Sequence, residues 1–349
     1  METLIKKTKI PFLKVATIGI LPSFLKKLYY RSKGHSIGKN VSIGIGSVII
    51  GKKVTIRDNV KIGLITIIRA EEIMIERFAA IGSFTMIDTG KLQIGEDARI
   101  NEQVIVGGMK TPQSALIMGK RTIIMEYSFI NTTMPITIGD DTGIGGHCLL
   151  FTHGSWLNQL EGFPVTFAPI TIGKSVWLPW RVFIMPGVTI GDKVVIGANS
   201  MINKSVQSNC LIAGSPAKVI KENFPEPLTH EQKFKIFNEQ LEQFIQHLIF
   251  NQVTLNKSEE GNKIFISGKY RKDAFTMVFI TGNTDTKIDP KPDLLIYNIS
   301  ETNVKSPIPE NIKGMVLNIH EKTRIGSSKI GEEYVKFVSR FGLRFNRLD

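Results

Sequence analysis

The sequence predicts a mainly β fold built around a parallel β-helix, and three observations carry that prediction. Aliphatic residues recur every sixth position in two runs, Ile138, Ile144, Leu150 and Ile172, Leu178, Ile184, Ile190, Ile196, Ile202, a spacing that neither the 3.6 period of a helix nor the period of 2 of a simple strand generates. Four positions after each anchor stands a small or β-branched residue: Thr142, Cys148, Val176, Val182, Val188, Val194, Ser200 and Val206. Both positions of a hexad therefore point inward. Many anchors are followed by Gly, and Gly makes up 31 of the 349 residues, a modest excess that fits crowded corners recurring along the chain.

The amino-terminal segment, residues 1–35, is basic and amphipathic. Residues 1–40 hold nine Lys/Arg against one acid, Glu2, and so carry +8 of the net +13. Apolar residues including Phe12, Leu13, Ile20, Phe24, Leu25 and Leu28 interleave with these cations. Two readings stand open: peripheral contact with an anionic membrane, or a helix that covers the first turn of the next domain. A signal peptide fits poorly, because Pro22 interrupts the apolar stretch and no small-residue cleavage site follows. No RRM, KH or helix-turn-helix pattern supports nucleic-acid binding.

Residues 36–221 form the repeat domain. Upstream of the two runs the frame continues through Ile37, Ile43; Ile56, Ile62, Ile68; Ile75, Ile81, Ile87; Ile94, Ile100, Val106; and Met118, Ile124, Ile130. Three hexads, about 18 residues, make one coil of a triangular prism filled by stacked aliphatic ladders, giving about eight coils. Coil starts are 18 apart from Ile172 to Ile190 but 34 apart from Ile138 to Ile172. The surplus is one projecting loop, residues 152–169, the natural place for function on so uniform a scaffold.

Residues 222–349 lack hexads and read as a small α/β domain of unassigned role: a helix over 228–250, a hairpin from 263–267 and 275–281, strands over 294–299 and 315–319, and a helix over 332–341. No stretch reaches the roughly 18 to 20 apolar residues of a spanning helix. Two cysteines, Cys148 and Cys210, lie outside metal or redox spacings and suit a reducing compartment.

The segments I-G-D-D-T-G-I-G-G-H (138–147), F-T-H-G (151–154), A-P-I-T-I-G-K-S-V-W-L-P-W-R (168–181) running on to I-N-K-S-V (202–206), and A-G-S-P-A-K-V-I (213–220) resemble the hexapeptide-repeat acyltransferases, especially bacterial O-acetyltransferases acting on sugars and surface polysaccharides. The resemblance covers about residues 36–221. It implies a left-handed coil, a homotrimer with active sites between subunits, acetyl-CoA as donor, and a sugar or lipid-linked sugar acceptor in the cytoplasm or at the inner face of the membrane.

Acyl transfer from a thioester to a hydroxyl needs a base, and neutral His is best poised near pH 7. His147 and His153 stand three residues after Ile144 and Leu150, so they face outward on successive sides of one coil. By resemblance His153 matches the catalytic base; His147 either orients groups or is simply exposed. Asn131, which follows Ile130 on the preceding coil, is a candidate to position the acceptor or thioester, with a polar residue of the T-T-M-P corner as the open alternative. Lys204 and Lys218 match phosphate contacts of the donor, Trp177 and Ala198 its groove, and Trp180 replaces a residue that is often small in relatives. A metal is not expected: the third His of a carbonic-anhydrase-like site would be His35, five coils away. A drug O-acetyltransferase and a noncatalytic scaffold remain alternatives.

Overall fold

The computed structural model describes residues 12–280, 292–297 and 314–348. Lys6, Lys7 and Lys9 and the expected strand ends at 281 and 298–299 lie outside them. The chain divides into two compact units, Met1–Glu226 and Pro227–Asp349.

In the first unit, the alternation of buried and outward residues builds three sheets whose successive coils pair in parallel. One face runs from Ser36–Ile37 to Thr189–Ile190, the second from Ser42–Ile43 to Val195–Ile196 and on to Cys210–Gly214, and the third from Val48–Ile50 to Met201–Ile202. The predicted anchors stack in register. On the first face Ile37, Ile56, Ile75, Ile94, Met118, Ile138, Ile172 and Ile190 form one ladder. On the third, Ile68, Ile87, Val106, Ile130, Leu150, Ile184 and Ile202 form another, which Ile49, not named in the frame, extends by one coil. All are buried in one continuous core. Thr142, Cys148 and Ser200 complete the inward set, and Val206 is packed against it.

The ladder steps depart from the expected regularity, including one of 20 residues from Met118 to Ile138. The first three steps of the ladder are 19 residues, from Ile37 to Ile56, Ile75 and Ile94, rather than 18. The next, from Ile94 to Met118, is 24. The extra length lies in residues 108–114, so residues 152–169 are not the only interruption. This smaller loop is pinned by hydrogen bonds from Thr111 Oγ1 (2.8 Å) and Ser114 Oγ (3.1 Å) to the Thr133 carbonyl. Both loops leave the same corner of the prism, between the third and first faces.

The amino-terminal end is closed by helix Ser23–Ser32. Ser23 Oγ accepts the Ile43 N–H at 3.0 Å, the Tyr30 hydroxyl accepts the Ile49 N–H at 2.8 Å, and Lys26 Nζ donates to the Gly44 carbonyl. These are groups that a preceding coil would otherwise engage. The helix-cap expectation thus accounts for the inner side of this segment. Burial pushes the Tyr30 phenol up to about 12 and lowers the Lys26 ammonium below its usual range.

On the outer surface, ion pairs link adjacent coils, as in Arg77–Glu96 (2.9 Å) and Arg121–Asp141 (2.7 Å). Asp88 is shared by Arg69 and Lys110. Burial alone would raise its pKa, but hydrogen bonds from both cations hold it below the ordinary value of 3.8. The unfolded chain binds the proton first as pH falls. Stability from this pairing is therefore full above pH 3.8 and lost as pH drops through the lower folded value. Asp88→Asn should melt at a lower temperature at neutral pH and lose this part of the acid dependence, as read by circular dichroism melts across pH.

Among its described residues the second unit carries a seven-stranded sheet in sequential order, Thr254–Glu260, Lys263–Tyr270, Asp273–Ile280, Leu294–Tyr297, Met315–Asn318, Thr323–Ile325 and Asn346–Arg347. The first three strands pair antiparallel, and the central pairs are parallel. Helix His230–Phe250 starts on a Thr229/Gln232 capping box, and helix Lys329–Val338 starts on Ser328. Phe244, Phe279 and Tyr334 centre the core.

Candidate active site

His153 stands where the third face turns into the long loop, and Thr152 fixes that exit. The buried Thr152 Oγ1 donates to the Asn131 carbonyl (2.7 Å) and accepts the Met134 N–H (2.9 Å). Just beyond it, His153–Gly154 pairs antiparallel with Thr166–Phe167, which closes the loop at its base. The His153 ring stacks on Phe167 at 5.0 Å and 28°. Its Nδ1 is buried and has no hydrogen-bond partner among the described residues. Such an orphaned ring nitrogen costs free energy unless a donor or acceptor from outside the chain meets it.

Asn131 lies on the third face, on the coil before Leu150, as expected. It is 5% exposed, and its side-chain oxygen accepts the Thr133 N–H at 3.1 Å. It pairs in register with Phe151. The Asn131 amide thus meets one buried backbone donor of the T-T-M-P turn, and its carbonyl anchors Thr152.

His147 occupies the opposite edge of the third face. Its φ is +54°, and its exposed imidazole lies between Tyr127 (5.0 Å, 19°) and Trp180 (5.5 Å, 39°). The G-I-G-G run explains how two indoles fit so close. A Cβ at Gly143 would fall 2.7 Å from the Trp177 ring, and one at Gly146 2.5 Å from the Trp180 ring. Trp180 therefore lies flat over the coil beside His147. Ala198 is exposed on the next turn of this corner, where Asn199 N–H donates to the Trp180 carbonyl at 3.1 Å. Trp177, on the adjoining second face, is 37% exposed.

Lys204 and Lys218 meet at the carboxy-terminal end of the prism, where both line one groove of about 480 Å³. Trp177 and Ala198 do not line it. Cys148 is buried, and burial pushes its thiol up to about 11, which removes it as a nucleophile near neutrality. Among the described residues, no cluster of His, Cys, Asp and Glu could hold a metal.

Between the two histidine edges lies a feature that the anchor frame did not single out. The outward residues of the third face are Ile67, Met86, Ile105, Phe129, Leu149, Phe183 and Met201, stacked in register. Met86, Ile105 and Leu149 are 37–43% exposed. The corresponding column of the first face is mostly polar: Thr55, Gln93, Thr137, Thr171 and Thr189. The signal was present, one residue before each third-face anchor.

The family model described as Bacterial transferase hexapeptide (six repeats) matches residues 169–204, and that described as Hexapeptide repeat of succinyl-transferase matches residues 35–63. Galactoside O-acetyltransferase of Escherichia coli is 39% identical over 104 residues, 29% of this chain and 47% of that relative. Among solved structures, the polySia specific acetyltransferase NeuO aligns at 21% identity and a TM-score of 0.35, covering 59% of this chain and 93% of its own. The "Putative colanic acid biosynthesis acetyltransferase WcaF" of Escherichia coli is 32% identical over 131 residues, which span 36% of this chain and 69% of that relative. The repeat frame and the extent of this last match together show that the chain belongs to the bacterial hexapeptide-repeat transferase family.

Proposed function

We propose that this chain is an O-acetyltransferase that moves an acetyl group from acetyl-CoA to a hydroxyl of a sugar or glycan precursor, at sites shared between the copies of a homotrimer. The acetyl donor and glycan acceptor follow the names of its relatives. The left-handed coil of about eight turns and a cytoplasmic place of action follow the family resemblance. One observation carries the shared site: His153 and the expected donor-groove residue Ala198 lie at opposite edges of an apolar face, with Trp177 on the second face beyond the Ala198 corner. Apposing the faces of two copies would bring the base of one toward the groove of the next and offer a partner to His153 Nδ1.

In this reading His153 takes the hydroxyl proton as the oxygen attacks the thioester carbonyl, and a backbone N–H steadies the oxyanion. The new C–O bond forms, the C–S bond breaks, and the proton held on His153 passes to the departing CoA thiolate. No acyl-enzyme is required. Lys204 and Lys218 meet the donor's phosphates. Lys204→Ala should raise KM for acetyl-CoA about tenfold or more while leaving kcat nearly unchanged, since a hydrogen bond to a charged group contributes about 1.5–3 kcal/mol. Steady-state kinetics check this.

The deciding experiment incubates the protein with acetyl-CoA and a panel of sugar, lipid-linked sugar and drug acceptors, reading free thiol and product mass. Acetylated glycan with stoichiometric thiol supports the reading. A preference for drug acceptors, or no CoA release with any acceptor, overturns it.

A further inference from the structure

The amino-terminal cap is built inside out. In helix Ser23–Ser32, Lys26 and Tyr30 are the buried residues, whereas Phe24 and Leu28 are 60% and 57% exposed. Just before it, Phe12, Leu13 and Ile20 are 72%, 79% and 63% exposed. A helix that only had to close the prism would turn these rings and chains inward and leave Lys26 in water. Scattered exposed apolar residues are ordinary, but a cluster within one short segment marks a surface made to be covered.

The charge around this cluster is one-sided. Between Glu2 and Asp58 the sequence holds twelve Lys/Arg and no acidic residue. Lys14, Arg31 and Lys33 are exposed, and Lys27 is half-buried, on the same segment as the apolar side chains. Arg31 is partly engaged, donating to the Ile37 carbonyl at 2.7 Å, and Lys33 lies 5.9 Å from the Tyr29 ring. A second copy of this surface would bring like charges together. A layer with anionic headgroups above hydrocarbon matches both properties at once: cations meet the headgroups while the rings and aliphatic chains enter the acyl boundary.

We propose that residues 12–33 form a peripheral docking surface for an anionic lipid bilayer. No helix among the described residues is long and apolar enough to cross a membrane, so the contact is a reversible one made at the interface. It stands apart from the acyl-transfer reading, because lipid binding is measured without acetyl-CoA or acceptor.

The test is co-sedimentation of the full chain with vesicles of phosphatidylcholine alone and of phosphatidylcholine mixed equally with phosphatidylglycerol. Point variants are preferable to truncation, which would also strip the hydrogen bonds that the cap makes to Ile43 and Ile49. The wild type should pellet with the anionic vesicles, less so as salt rises, and weakly with the neutral ones. Phe24→Ser combined with Leu28→Ser should lower the partition coefficient on the order of a hundredfold. Lys27→Gln should lower it about fivefold. Melting temperatures of the variants close to wild type show that the cap is intact. Equal pelleting of wild type and double variant, or no pelleting of the wild type, overturns the proposal. So does a fall in solution mass of the double variant without lipid, which would identify a second copy as the covering partner.

Discussion

Replacing His153 by alanine is expected to lower turnover by about 10²–10⁴, the usual contribution of a positioned general base, while leaving acetyl-CoA affinity near wild type. The geometry supports the size of the effect. The ring is held by its stack on Phe167 and by strand pairing at the base of the loop, so the imidazole is preorganised for the proposed role. His147→Ala should cost much less, since that imidazole lies in an aromatic stack on the other edge of the face. Single-turnover rates and isothermal titration with acetyl-CoA separate chemistry from binding. A dead His147→Ala beside a His153→Ala of near-normal rate would move the base one corner back along the same coil.

Ile105→Glu is the second large effect. In an isolated copy this residue is 43% exposed, so a carboxylate there is solvated and the fold should hold. In a symmetric assembly joined by the third faces, the same change would place an unpaired carboxylate in each interface, a penalty of several kcal/mol per charge. The expected result is dissociation to monomers and loss of transfer activity, with secondary structure unchanged. Thr171→Glu, on the more polar first face, should remain assembled and active. Light scattering paired with activity decides the matter: an Ile105→Glu protein that stays assembled and active excludes this face as the contact.

The repeat was legible because its physical cause is local. Anchors are aliphatic or Met because they fill a tightly packed interior, so the ladders from Ile37 to Ile190 and from Ile68 to Ile202 could be written from spacing alone. The loop at 108–114 could have been read from the twelve positions between Val106 and Met118, twice the hexad. Asn131 was harder. Whether an amide at a corner meets a backbone donor depends on which donors that turn leaves unpaired, and the bond from Thr133 N–H is visible only in three dimensions. In the second unit, helices and buried strands announced themselves by apolar pattern. Strand Thr254–Glu260 did not, because it is an edge strand with six of its seven residues exposed. The assignment of His153 came from family likeness, and spacing alone left it level with His147.

The bonds between the cap and the first coil also bear on assembly of another kind. A stack of parallel strands has no intrinsic length, since each added layer offers the next the same open hydrogen-bonding edge, which is how cross-β fibres grow. Here Ser23, Tyr30 and Lys26 occupy that edge with side-chain groups. At the far end, Ala217–Glu222 folds back antiparallel on Cys210–Gly214 and interrupts the parallel order. The prism is thus a finite object because its two ends are chemically unlike its middle. The terminal segments act as stoppers against polymerisation as well as serving whatever they bind.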